Sequence, residues 1–460
     1  MRMAAQDSAS GPLRLPRVPP LEVPVGRVRQ FFLLAKNPLL SIPAVAYEEP
    51  IVVPARPSGV AYVCAPHLVG EVLLDRRDEF PKDGLQKRIL SPLTGNGILT
   101  AEGEDWRWQR RTVAGLFRHS DILDYVPAMV AGAESALAHW RDAPPGEVHA
   151  VDRHMVSATY HVIAHTILPS DHAEVTATIE QGAAAFAAGM PWAIASGALN
   201  LPLWMPHPGK RALRRQTAEL RRLVAGMIAA RRQQQSPQDD LFNRLLATTD
   251  PETGRELADE QLVDNLLTFL LAGHDTTSRA LTWSLYLLSR SPEWAERLRA
   301  EVDAVAGGRA VARDDVAQLV LTRQFVNEAM RLFPPVPTIT RIAAVDTELA
   351  GHPIPAGTLI VIPVYVVHRH RLLWKDPDVF DPSRFAPGLE RTYPRNQFMP
   401  FGAGPRVCIG AAFATIEATV VLASLVRAAD FDWAGEEDVV PVSRIVLVPQ
   451  GGMPMRVALR

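Results

Sequence analysis

The stretch Phe398-Met-Pro-Phe-Gly-Ala-Gly-Pro-Arg-Val-Cys-Ile-Gly410 leaves this chain few ways to fold. A single cysteine, Cys408, sits among Gly402, Gly404 and Gly410, and the loop runs directly into an apolar stretch, Ala411 to Ala428. Glycines permit tight turns and let the backbone approach a flat partner closely. The helix that starts here offers free backbone N–H groups and partial positive charge, which favour thiolate over thiol. A thiolate held in this way is a candidate axial ligand for iron.

Composition narrows the setting. Hydrophobic residues make up 47% of the 460 and charged residues 21%, an ordinary globular balance with ample core. The formal net charge of -2 gives no electrostatic case for nucleic-acid binding. Two cysteines, Cys64 and Cys408, exclude a disulfide scaffold and suit a reducing compartment. Cys64 lies in the strand-like run Val60 to Ala65 and reads as a small core residue. No Cys-x-x-Cys-His occurs, so a heme here would be held without thioether bonds. The early apolar run Phe31 to Leu40 is broken by Lys36 and Pro38, too short for a bilayer, and no signal-peptide pattern precedes it. The expectation is a soluble cytoplasmic protein with no transmembrane anchor.

Along the chain, residues 1–25 form a proline-rich arm and residues 26–460 a single domain. A helix is expected over Arg27 to Lys36, short strands over Ile51 to Val53 and Gly59 to Val63, and a helix from His67. Helical periodicity dominates from Asp105 to Phe333. Short strands such as Leu359 to Tyr365 and Ile445 to Val448 appear in the last quarter. The arginine-rich run Lys210 to Arg222 reads as a solvated helix face. Leu201, Leu203 and Trp204 beside it offer an alternative, a contact with a membrane surface near a substrate mouth.

Three further motifs carry chemistry. In Gly103-Glu-Asp-Trp-Arg-Trp-Gln-Arg-Arg111, Trp106 and Arg110 are four apart and share a helix face, an indole N–H and a guanidinium suited to a carboxylate. Asp259 to Leu288 reads as one helix, about 45 Å long at the standard rise. Its middle, Leu270-Leu-Ala-Gly-His-Asp-Thr-Thr277, brings Ala272, Gly273 and Thr276 to one face with Phe269 and Ala280. Gly273 weakens that turn, and Thr276 can bond back to the carbonyl of Ala272, bending the helix. The adjacent acid and alcohol, Asp275 and Thr276, make a proton-delivery pair. Glu328-Ala-Met-Arg331 places two charges on one face amid Phe325, Met330, Leu332 and Phe333, so the pair is expected buried and mutually satisfied. His368-Arg-His370 lacks other clustered ligands and reads as polar loop residues.

Phe401, Gly404, Arg406, Cys408 and Gly410 fit the pattern Phe-x-x-Gly-x-Arg-x-Cys-x-Gly, which resembles the heme-thiolate loop of the cytochrome P-450 family. The resemblance covers nearly the whole chain after residue 25, through four separated motifs in the family's order. It implies a mainly α fold with small β-sheets, a long central distal helix and a cysteine-ligand loop. Non-covalent heme b would be bound by Cys408, with Trp106, Arg110 and Arg341 at its propionates and Arg406, Phe401, Gly402, Gly410, Ala272 and Gly273 as further cofactor-binding residues. Asp275 and Thr276 would serve oxygen activation. Glu328 and Arg331, joined by Arg384, would be structural, although Ser383 stands where many members have a glutamate. Leu99, Thr268, Leu271, Ala272, Val336, Thr338 and Ile445 would line the substrate pocket, and Arg56 and Tyr62 are candidate anchors for a substrate carboxylate.

The implied reaction inserts one oxygen atom from O2 into an apolar molecule of fatty-acid or terpenoid type. The sequence ends at Arg460, shortly after the last strand, so electrons are expected from a separate ferredoxin- or flavodoxin-type donor with its reductase. Arg107, Arg111 and Arg118 could form a basic docking patch. Two alternatives stand beside this reading, a peroxide-driven heme peroxygenase and a non-catalytic heme-binding sensor. The acid–alcohol pair argues against both.

Overall fold

Six helices and six strands position the site. The helices are α1 (Arg27–Lys36), α2 (Gly103–Ala114), α3 (Val151–Ile167), α4 (Asp259–Ser289), α5 (Val320–Leu332) and α6 (Ala411–Ala428). The strands are β1 (Ile51–Val52), β2 (Val60–Val63), β3 (Ile339–Ile342), β4 (Leu359–Ile362), β5 (Pro441–Ser443) and β6 (Leu447–Pro449). The computed structural model describes residues 12–54, 59–144, 146–168, 178, 210–234 and 240–460. Arg56 and the Leu201, Leu203 and Trp204 segment lie outside the described residues.

The 31-residue α4 runs through the core, with Leu266, Leu281, Trp283, Leu285 and Leu287 at most 1% exposed. At its start the Ala258 N–H donates to Gln261 Oε1 at 3.1 Å, satisfying one donor that no helix bond can reach. Helix α6 is predominantly apolar. It is long and apolar enough to cross a membrane by length and composition, yet 67% of it is buried inside the fold. Val420, Val421, Leu422, Leu425 and Val426 are fully buried, each favouring the folded state by about 1.5–3 kcal/mol relative to exposure.

The main sheet has the order β1-β2-β4-β3. β2 and β4 are parallel, and β3 pairs antiparallel with β4, setting Arg341 opposite Ile360. Pro363 ends β4 at Ile362, and Val364–Val367 turns helical, so the strand expected through Tyr365 is shorter. The strand expected over Ile445 to Val448 is instead a hairpin of β5 and β6, with Ile445 in its turn. The described part of the N-terminal arm is held in place. Leu15 and Val18 are buried, the Leu15 N–H donates to Asp378 O, and the Phe380 N–H donates to Leu13 O, both at 2.9 Å.

Candidate active site

The cysteine loop closes on itself. The Cys408 N–H donates to Phe401 O at 2.9 Å, and Gly402 and Gly404 take φ of 76° and 71°. A Cβ on Gly404 would stand 2.2 Å from Leu73 O, so this position excludes any side chain. The Cys408 sulfur accepts the Gly410 N–H and lies near the Arg110 guanidinium. Burial pushes its thiol pKa up, and those two neighbours oppose the shift. Cys408 is nonetheless reachable by solvent, as befits an atom lining a deep cleft. Cys64 is fully buried and pushed up to about 12, the inert core thiol that its strand suggested.

Positive side chains crowd the same region. Arg406 donates to Ala101 O at 3.1 Å and Glu102 Oε2 at 2.8 Å, and its guanidinium lies over the Trp106 ring, 4.4 Å from the centroid. Burial and then Arg406 pull Arg341 down to about 10. The same two influences pull Lys82 down to about 7, with its Nζ 2.6 Å from Leu99 O. Burial also lowers Arg110. Such a set repels itself, and a dianionic partner restores the charged forms. A thiol beside it, with glycines that admit a flat ring, makes this donor set fit a heme with two propionates. Lys82 escaped sequence reasoning, because no spacing marks a lone lysine in a loop.

On α4, Ala272 is exposed while Phe269, Leu270, His274 and Thr277 around it are buried. An exposed alanine inside a core helix marks an open cleft. Ile163 of α3 packs so closely on Gly273 that an added Cβ would meet its Cδ1 at 2.8 Å. Thr276 Oγ1 donates to Ala272 O at 2.9 Å, the back-bond that the sequence suggested. The helix stays α-helical throughout, so the expected loosening of this turn is not present. Asp275 Oδ1 accepts Arg279 Nη2 at 2.8 Å and Nε at 3.1 Å, which draws the acid toward the next turn. Glu417 of α6, also missed, is 1% exposed and hydrogen-bonded to Thr277. Burial raises its pKa well above the usual carboxylate range, and the hydrogen bond with Thr277 opposes the shift. Its visible signal was an acidic residue in an otherwise apolar helix.

A buried polar clamp fixes the loop before α2. Asp264 Oδ2 accepts the Asn96 N–H at 2.7 Å, and Asn265 Oδ1 accepts the Ile98 N–H at 3.0 Å. Asn265 Nδ2 donates to Gln109 Oε1 at 2.9 Å, and Gln109 Nε2 donates to Asn96 O at 3.0 Å. These bonds set the place of half-buried Leu99. Thr268 is 3% exposed, with its hydroxyl donating to Asp264 O, and packs beneath Gly97. Leu271, Val336 and Thr338 are half-buried, and Ile445 is 36% exposed on its hairpin turn. Tyr62 is a core residue whose hydroxyl donates to Ser41 O at 3.4 Å, which removes it as a substrate anchor. Arg111 is paired with Asp250 at 3.1 Å and Glu252 at 3.3 Å, and Arg107 with Glu104. The expected basic patch is therefore partly neutralised.

Glu328 and Arg331 are fully buried, with Glu328 Oε2 accepting Nε at 2.6 Å and Oε1 accepting Nη2 at 2.7 Å. Arg384 Nε stands 3.6 Å from Glu328 Oε1. Arg331 also donates to His368 O, Pro377 O and Val379 O. The His368-Arg-His370 segment is buried, which corrects its reading as a polar loop. His368 Nε2 accepts the Met399 N–H at 2.9 Å, hanging the cysteine loop on this cluster, and burial pulls its pKa down to about 3.

A buried carboxylate–arginine cluster behind a cysteine loop, and a long helix with a small-residue turn, define a heme-thiolate enzyme. Sequence comparison agrees: the family model for cytochrome P-450 matches residues 47–454. The chain belongs to the cytochrome P-450 family. It is similar to cyclooctat-9-en-7-ol 5-monooxygenase of Streptomyces melanosporofaciens, 32% identical over 84% of this chain and 83% of that protein. It is also similar to pentalenene oxygenase of Streptomyces avermitilis, 32% identical over 87% of this chain and 88% of that one. The crystal structure of the cytochrome P-450DA heme domain superposes with a TM-score of 0.76 at 26% identity, covering 87% of this chain and 88% of that one. The protein is therefore a monooxygenase that binds heme b non-covalently and inserts oxygen from O2 into a hydrophobic small molecule.

Proposed function

We propose that this chain hydroxylates a terpenoid-type substrate in the cytoplasm, with electrons from a ferredoxin- or flavodoxin-type donor. The observation that carries the reading is Cys408, its sulfur held by the Gly410 N–H near Arg110. The two Streptomyces relatives, one named for a cyclooctatenol and one for pentalenene, support the substrate class.

Heme bound through a cysteine sulfur supplies the reductive activation of O2, which consumes two electrons and two protons per oxygen atom inserted. Cys408 would hold its iron through the thiolate sulfur. Lys82, Trp106, Arg110, Arg341 and Arg406 would hold the propionates, and Phe401, Gly402, Gly410, Ala272 and Gly273 would meet the ring. Asp275 and Thr276 move protons. The Thr276 hydroxyl, once its hydrogen leaves Ala272 O, can donate toward the cleft. Asp275 must swing from Arg279 to take part. Leu99, Leu271, Ala272, Val336, Thr338 and Ile445 orient an apolar substrate, with Thr268 behind them.

The test uses reduced protein under carbon monoxide, then turnover with NADH, a surrogate ferredoxin and its reductase, and a panel of cyclic terpenes. Wild type should give the family's red-shifted band and a hydroxylated terpene, while Cys408→His should keep some heme and lose the band. An unchanged band in that variant overturns the ligand. Turnover with peroxide but none with NADH would favour a peroxygenase.

A further inference from the structure

The inner face of α3 packs on the distal helix, while its outer face carries two histidines with no part in the site above. His161 and His165 are four residues apart, one half-buried and the other exposed. Their rings stack with centroids 3.8 Å apart and planes inclined by 29°. His165 Nδ1 lies 2.8 Å from His161 O. A carbonyl only accepts, so this nitrogen carries the hydrogen, and Nε2 is the ring nitrogen left to face a metal. Tying the far ring nitrogen to a carbonyl is the usual support of a metal-ligating histidine. Burial, and then His165, lower the His161 pKa, a shift toward the neutral imidazole that metals bind.

Two nitrogens on one zinc ion, each about 2.0–2.1 Å from it, stand about 3 Å apart. The two rings share one helix face at a spacing that admits this separation, once each ring turns to aim its in-plane lone pair at a common point. We propose that His161 and His165 form a two-histidine chelate for a divalent transition metal, Zn2+ being the redox-inert choice. Among the described residues no group of three or more His, Cys, Asp or Glu could hold a metal, so water completes the shell and the ion exchanges freely. Imidazole donors select Zn2+, Ni2+ or Cu2+ over Mg2+ and Ca2+. The neighbouring histidine cluster differs in kind, because the Trp140 indole N–H donates to His154 Nδ1 at 2.5 Å and occupies that nitrogen.

The test is calorimetric titration of Zn2+ into heme-loaded, chelator-washed protein, comparing wild type with His161→Ala, His165→Ala and the double variant. Wild type should bind one ion with micromolar affinity. Each single variant should lose at least about ten-fold, as expected when a metal site loses a supporting group. The double variant should lose the event, with its heme spectrum unchanged. Zn2+ should also raise the melting temperature of wild type and leave that of the double variant unmoved. Wild-type affinity persisting in the double variant would place the ion on other histidines and overturn the proposal, as would no binding by wild type at millimolar Zn2+.

Discussion

Glu328→Ala removes the carboxylate that two arginines share, and its cost can be worked from the geometry. Arg331 is fully buried and loses bonds of 2.6 and 2.7 Å, while Arg384 loses the partner 3.6 Å away. The carbonyls of His368, Pro377 and Val379 still accept from Arg331, so the penalty is mainly an uncompensated charge. Breaking such a buried pair costs about 3–5 kcal/mol. The Asp381 N–H also loses its acceptor, Glu328 Oε1 at 2.9 Å, adding about 1 kcal/mol. An unfolding entropy of about 2.1 cal/mol/K per residue gives roughly 1 kcal/mol/K for a chain this long, so the melting temperature should fall by about 4–6 °C. Glu328→Gln deletes the charge and keeps one of the two acceptors that Arg331 uses, because its amide nitrogen only donates, and should fall between alanine and wild type. Thermal melts and the heme-to-protein ratio of purified protein provide the assay. An alanine variant that fills with heme and melts with wild type would refute a buried, mutually dependent pair.

Thr276→Ala should preserve the fold and the carbon monoxide band, yet release more hydrogen peroxide and less product per NADH. The loss can reach about 100-fold, the scale of acid–base assistance, and equal coupling in both proteins would place the proton route elsewhere. Leu99→Phe should change the site of oxidation or the range of ligands that shift the heme spectrum, and an unaltered product profile across a terpene panel would remove Leu99 from the pocket. His368 makes stability depend on pH: its folded pKa of about 3 lies below the unfolded value of 6.5. The unfolded chain therefore takes up this proton first as pH falls. The contribution is full above about pH 6.5 and is lost progressively toward pH 3, by up to about 1.4 kcal/mol per pH unit. Urea melts between pH 7 and 4 should show a flatter dependence in His368→Gln than in wild type, and parallel curves would remove the imidazole from the acid response.

Local chemistry was legible where partners are close in sequence. The helices at 27–36 and 411–428 have the bounds that the sequence suggests, because the glycines before them and the runs of apolar residues within them are short-range signals. The Glu328–Arg331 pair was readable for the same reason, being one turn apart. What sequence could not supply were partnerships between distant segments. His368 meets Met399, Glu417 meets Thr277, and Lys82 joins Arg406 only after folding. Tyr62 was misplaced on similar grounds, since alternation along a strand does not say which face looks onto a cleft. The distal turn stayed regular because Gly273 is braced by Ile163 from α3, a contact 110 positions away in the chain.

The clamp on the loop at residues 95–100 divides labour between main chain and side chain. Asp264, Asn265 and Gln109 grip the N–H of Asn96, the N–H of Ile98 and the carbonyl of Asn96, all of them backbone atoms. Lys82 reaches the carbonyl of Leu99, again sparing the side chain. None of these bonds reads what residue 99 is. The loop thus works as a fixed mount with an interchangeable tip. With Leu99 in the proposed pocket, single substitutions there would change substrate preference and leave the cysteine loop undisturbed, and a randomised library at this position should keep most of its members folded.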